Sequence, residues 1–229
     1  MGLLDDNSAS RTAVLGRVRK ALGRTAPDQA AQADAQKYLV ARRHGPRPAM
    51  PADLVARFLT RATDMASTVE RIANVDAIPA AVARYIDALQ LPPAIAAQKS
   101  HRGVCWPEFS ALDWRSSGLE VEARPMQGTD LLGITGCFCA LAETGTLLFA
   151  TAANSPTGTM LLPATHIAVV PANRVVSGME EAFDLVRRDR ASVPRAMNFV
   201  SGPSRTGDIE QTIVLGAHGP FRVHILLLG

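Results

Sequence analysis

The sequence predicts an α/β protein with a mainly parallel sheet covered by helices and a helical arm at its N-terminus. Two observations carry this expectation. From residue 51 onward, segments of helical period alternate with short β-branched runs, the pattern of strands joined by helical crossovers. And 229 residues, 47% hydrophobic and 20% charged, suffice for one substantial core but are short for two.

The elements follow in order. Ser8 and Ser10 are candidate caps for a helix that spaces Val14, Leu15, Val18 and Leu22 at helical intervals and stops at Gly23. Residues 28–40, rich in Ala and Gln, read as a second helix, and the proline-rich stretch 44–51 reads as a linker. Residues 1–50 are therefore expected to be a basic arm, and residues 51–229 a single α/β domain. The arm holds nine Lys/Arg against four Asp/Glu, whereas residues 104–229 hold nine against twelve. Its basic first helix, without interleaved aromatics, suits docking on a core or a partner better than nucleic acid.

In the domain, residues 52–65 place Leu54, Val55, Phe58 and Leu59 on one helical face, 68–72 read as a strand and 75–89 as a helix. Residues 94–97 are expected to be a short strand, 103–110 a loop, and 119–123 a strand. Two apolar runs flank a Glu-Thr-Gly turn at Glu143, the pattern of a buried hairpin. Residues 166–170 read as a buried strand, 178–188 as a helix, 198–201 as a short strand and 221–228 as a closing strand.

Several function classes drop out. No apolar run approaches the roughly 18 to 20 residues of a spanning helix, no secretory signal pattern is present, and a cytoplasmic protein is expected. Dinucleotide-loop, phosphate-loop, zinc-protease and nucleophile-elbow motifs are missing. Lys20, Lys37 and Lys99 are the only lysines, which leaves arginine to bind any anion in the second half. Cys105, Cys137 and Cys139 are too few for a four-cysteine cluster. Cys137 and Cys139, two apart, are expected to face the same side of a strand as small buried hydrophobes, and no metal site is expected.

Among candidate site residues, the segment 201–210 stands out. It reads as a strand running through a Gly-Pro turn into a helical turn, with Ser204, Thr206 and Asp208 as caps. Unpaired amides there would favour a carboxylate or phosphate, with Arg205 closing on the same anion; alternatively these residues cap a turn and Arg205 pairs with Asp208 or Glu210. Glu143, set between apolar runs, is either a polar group facing the ligand or a stabiliser of its turn. Asn154 and Ser155 form a polar loop suited to ligand contact or turn closure. His166 and His218 are candidate acid/base or ligand-facing groups, or hydrogen-bonded structural residues.

Five segments together resemble a known family. Ile134-Thr-Gly through Ala142-Glu-Thr-Gly-Thr-Leu, Ser155-Pro, Leu162-Pro-Ala-Thr-His-Ile-Ala-Val-Val-Pro, Ser201-Gly-Pro-Ser-Arg-Thr-Gly-Asp-Ile-Glu and Gly216-Ala-His-Gly-Pro look like the lactate utilization protein C family. The resemblance implies a Rossmann-like fold of the type shared by ribose-5-phosphate isomerase, glucosamine-6-phosphate deaminase and CoA transferases. It implies a cytoplasmic bacterial protein, one of three that oxidise L-lactate to pyruvate, with the iron-sulfur clusters on the two partners and no cofactor on this chain. It assigns no catalytic residue. Three roles are left open: a subunit binding a small organic or phosphorylated anion at strand-end loops, a non-catalytic docking subunit, or an isomerase or transferase acting on a sugar phosphate or CoA ester.

Overall fold

In the computed structural model, which describes residues 8–23, 28–209 and 211–229, the chain divides into two compact units, Met1–Arg47 and Pro48–Gly229. The first holds α1 (Ser8–Ala21) and α2 (Gln29–Ala41). Asp28 caps α2 by accepting the Ala31 N–H at 3.0 Å, and Arg42, in the left-handed region at φ 42°, ends it.

The second unit opens with α3 (Leu54–Asp64), capped by Asp53 and burying Phe58 and Ala62. There follow β1 (Thr68–Ile72), α4 (Ile78–Ala88), β2 (Arg102–Cys105), β3 (Glu120–Glu122) and β4 (Leu132–Thr135). The hairpin β5 (Cys139–Leu141) and β6 (Thr146–Ala150) comes next, then the single turn α5 (Gly158–Leu161), β7 (Thr165–Pro171), β8 (Val175–Val176) and α6 (Met179–Asp189). The chain closes through β9 (Met197–Val200), β10 (Arg205–Ile209), β11 (Thr212–Leu215) and β12 (Arg222–Leu228). No helix among the described residues is long and apolar enough to cross a membrane.

Six strands form one wholly parallel sheet in the order β1-β12-β7-β4-β2-β3, a Rossmann-like α/β arrangement. Its inner strands read as continuous apolar runs because both faces are covered: β12 buries five consecutive residues and β7 six. A second sheet, β8-β5-β6-β9, forms another layer. Ala140, Leu147 and Phe149 of its hairpin join the main core, while Cys139, Leu141 and Leu148 pack with Ala182 and Val186 of α6. Alternation along β5 and β6 thus feeds two cores from one ribbon. Three expectations change. Residues 94–97 lie in a 3-10 helix, Pro93–Gln98, entered through Pro92 and Pro93, whose fixed φ and missing donors disfavour a strand. Residues 103–105, read as loop, complete strand β2. The segment after Ser204 forms the antiparallel ribbon β10–β11 instead of entering a helix.

Two histidines lie inside the main sheet. His166 on β7 is fully buried, with Nε2 2.9 Å from the Thr135 hydroxyl. His224 on β12 stacks on Tyr85 at 4.0 Å, and its Nδ1 lies 2.8 Å from the Thr68 hydroxyl. Burial disfavours the imidazolium and pushes their pKa values down to about 3 and about 4. Unfolded, each titrates near the usual ~6.5, so the stability they contribute is complete above that pH and lost as pH falls towards the folded values. The unfolding free energy measured in urea should therefore drop between pH 7 and pH 5, by roughly 1–2 kcal/mol per histidine. A His166→Gln/His224→Gln variant should show a visibly shallower drop; an equal drop would refute the assignment.

Candidate functional site

From β2 the chain steps outward to β3 and then returns to β4 on the other side of β2. The connections leave β2 and β4 in opposite directions, and such a reversal opens a crevice at the carboxyl ends of the two strands, where ligands of open α/β sheets bind. A cleft of about 510 Å³ lies there. Trp106 and Glu108 follow β2, Cys137 and Phe138 follow β4, and Pro171 and Arg174 come from the end of β7. The far wall is the end of β6 with Asn154 and Ser155 of the next loop, and the C-terminus of α6 supplies Asp189 and Arg190. The Trp106 indole N–H donates to Pro156 O at 3.2 Å and its ring meets Phe149 edge-on, tying the 154–156 loop to the strand end.

The cleft charges divide into committed and uncommitted groups. Arg174 is committed: its Nε donates to Phe138 O at 2.9 Å and its Nη1 to Asp189 at 2.7 Å. Hydrogen bonds from Arg188 and Arg174 hold the Asp189 carboxyl down to about 2. Arg190 stands with its guanidinium 5.2 Å from the centre of the Phe138 ring. Among the described residues it has no carboxylate partner, and its Nε is buried without a hydrogen bond. Glu108 accepts the Gly136 N–H, and burial raises its carboxyl above the ordinary range, an effect this bond partly offsets. Gly136 is required for that approach, because a Cβ there would lie 2.1 Å from Glu108 Oε1.

The expected same-side cysteine pair does not form. Cys137 precedes β5 and packs against the main core with its thiol donating to Cys139 O at 2.9 Å, whereas Cys139 lies in the second core. Burial drives the Cys137 thiol far up and the Cys139 thiol to about 11, so neither is a ready thiolate.

The residues singled out from sequence fall into separate places. Asn154 and Ser155 line the cleft. Asn154 is exposed with no hydrogen bond among the described residues, whereas Ser155 is buried and shapes its loop by accepting the Ala152 N–H at 2.7 Å. His166 sits inside the sheet against Thr135, the last residue of β4. Glu143 is at the opposite end of β5 and β6 from the cleft. Its N–H donates to Ser177 O at 2.9 Å and its carboxylate lies over Gly178. Ser204, Arg205 and Thr206 lie at the amino ends of the parallel strands, where Arg205 Nη2 donates to Met65 O, just past α3 and before β1, at 3.2 Å. Ser204 exchanges backbone bonds with Pro220 and Gly216, closing the exposed loop that carries His218. Asp208 is on β10, with its side chain outside the described residues. The expected helix N-terminus is absent here because Arg205 and Thr206 pair with Leu215 and Val214. Their amides belong to a ribbon rather than to an anion cradle.

Sequence reading missed Glu108, Arg174 and Arg190. Glu108 was hidden by reading β2 as loop, and Arg190 by belonging to the charge run that ends α6. A larger cavity of about 600 Å³ beside edge strand β3 presents Asp113, Glu120 and Glu122 with Arg115, a set unsuited to an anion.

Gly136→Ala should push the Glu108 carboxylate aside and destabilise the fold by less than the roughly 1–3 kcal/mol of core overpacking, since the obstructing atoms end a flexible side chain. Removing the opposing carboxylate in Gly136→Ala/Glu108→Ala should recover a measurable part in thermal melts. No recovery would mean that the Glu108 contact is not what Gly136 accommodates.

Comparison with known proteins identifies the family. The LUD domain profile matches residues 86–228, a span that includes every cleft residue named above. "Lactate utilization protein C" of Deinococcus radiodurans is 32% identical over 196 residues, 81% of this chain and 89% of that protein. The protein of the same name from Bacillus subtilis is 37% identical over 100 residues, and the match spans 42% of either chain. For the Bacillus velezensis protein the identity is 35%, again over 42% of its length. A crystal structure of a DUF162 family protein from Deinococcus radiodurans superposes with a TM-score of 0.56 at 23% identity, covering 80% of this chain and 100% of that one, a likeness of fold. The chain belongs to the LUD-domain family, among relatives named lactate utilization protein C.

Proposed function

We propose that this chain serves lactate utilisation by holding a small organic anion in the cleft between the carboxyl ends of β2 and β4. One observation carries the reading: Arg190 brings to that cleft a guanidinium that no carboxylate among the described residues neutralises. A cation left in this state on a concave surface favours an anionic ligand, and a guanidinium can grip a carboxylate with two parallel bonds. Asn154 offers a free amide beside it. The strand-end location expected from sequence is kept, while the anion moves from Ser204, Arg205 and Thr206 to the opposite end of the sheet. Oxidation of L-lactate to pyruvate is assigned to iron-sulfur partner proteins in the cytoplasm. Consistent with this, Cys105 and Cys139 point into cores and Cys137 bonds to backbone, so the three thiols do not converge.

A docking role is the second reading, favoured by the arm. Val14, Val18 and Leu22 on α1 and Tyr38, Leu39 and Val40 on α2 are exposed apolar side chains available to a partner.

Calorimetric titration with L-lactate, pyruvate and inorganic phosphate tests the anion reading. At least one should bind saturably, and at about 100 times its Kd should stabilise the fold by roughly 2.7 kcal/mol. Arg190→Ala should weaken that binding at least tenfold, while Arg205→Ala, at the amino ends of the strands, should leave it unchanged. If none of the three binds, or if Arg205→Ala is the variant that fails, the assignment of the cleft is wrong.

A further inference from the structure

We infer that Glu108 selects the ligand of the cleft, its carboxylate accepting a hydrogen bond from a hydroxyl next to the ligand's anionic group, so that 2-hydroxy acids are preferred over 2-oxo acids. The inference rests on the reading that Arg190 holds the anion.

Glu108 and Arg190 line the same cleft, yet no ion pair joins them among the described residues. Arg174, by contrast, is paired with Asp189, which Arg188 also holds. What remains is one cation and one acceptor, separated, facing a common space. A lone small carboxylate satisfies only the cation; a ligand with an adjacent donor satisfies both. An ionised carboxylate only accepts hydrogen bonds, so it rewards a hydroxyl and repels the lone pairs of a keto oxygen. The position is built rather than accidental, since the Gly136 N–H holds the carboxylate and the missing Cβ of Gly136 makes room for it. Glu108 follows directly on the end of β2 through Pro107, and Trp106 is anchored by the Ile134 carbonyl and by Pro156 O. A residue held at both strand ends of a crevice is positioned well enough to discriminate ligands.

The same arrangement gives a pH signature. The groups around Glu108 are the Cys105 thiol of β2, raised to about 11 and hence neutral, the Gly136 N–H just after β4, the Cys137 thiol, which burial also raises, and across the cleft Arg190 and the Arg174–Asp189 pair. Burial raises the Glu108 carboxyl above the ordinary carboxylate range, so as the pH falls it takes up its proton before an ordinary carboxylate does. Once protonated it donates, and its preference for a hydroxyl over a keto oxygen is lost.

Titration of the full chain with L-lactate, pyruvate and propionate reads this directly. At pH 7.5 L-lactate should bind at least tenfold more tightly than pyruvate. Glu108→Gln, whose amide also donates, should bring that ratio to near one or invert it, while propionate, which has no hydroxyl or keto oxygen for this residue to read, still binds. In the wild-type chain, lowering the pH from 7.5 to 5 should shrink the lactate-to-pyruvate ratio while propionate binding persists. An unchanged ratio in Glu108→Gln, or a wild-type ratio independent of pH, overturns the role of Glu108 while leaving the anion site standing. If none of the three acids binds, the anion site itself falls and the inference with it.

Discussion

The hairpin of the second sheet has to be dry on both faces, and the placement of almost everything else follows from that. All of β5 and β6 is buried, with one row of side chains given to the main sheet and the other to α6. A ribbon of this kind cannot slip by one residue, because a slip would exchange the two rows and mismatch both cores. Locked in register, it fixes how far α6 stands from the main sheet. It also fixes where the last residues of that helix reach the strand ends. The cleft is the space left between a sheet that ends and a ribbon that cannot move.

Within that space, hydrogen-bond partners rather than residue type separate structure from function. Arg174 and Arg190 both approach the Phe138 ring, yet among the described residues only Arg174 has a carbonyl and a carboxylate to bind. Truncating Arg174 would leave the Phe138 carbonyl without its donor and Asp189 with Arg188 alone, so its loss acts on the fold. Arg190 extends past the end of α6, where its charge also complements the negative end of the helix. The two arginines sit in one cleft and do unlike work.

Local patterns were legible in the sequence, and long-range pairings were not. The hairpin about Glu143, the buried strand from His166, the helix after Gly178 and the closing strand are all present, because each is dictated by periodicity and turn residues a few positions apart. The polar loop at Asn154 and Ser155 was found for the same reason and does line the cleft. The remainder of the site depends on strand order. Glu108 and Gly136 are neighbours only because β4 returns beside β2, and nothing within either segment announces that return. The segment from Ser204 to Asp208 shows the converse error. Its polar and small residues fit a helix start and a ribbon equally well locally, and only pairing with 212–215 decides between them.

Among the described residues, that ribbon pairs with no other strand. It is clasped at its base by the bonds of Ser204 with Gly216 and Pro220, and by Arg205 with Met65. No register in either sheet passes through its far end, where Gln211 takes a left-handed turn and Ile213 is exposed. A change of length or composition there would leave undisturbed the strands that build the cleft. The fold thereby offers a place to absorb an insertion at the end of the sheet opposite the cleft.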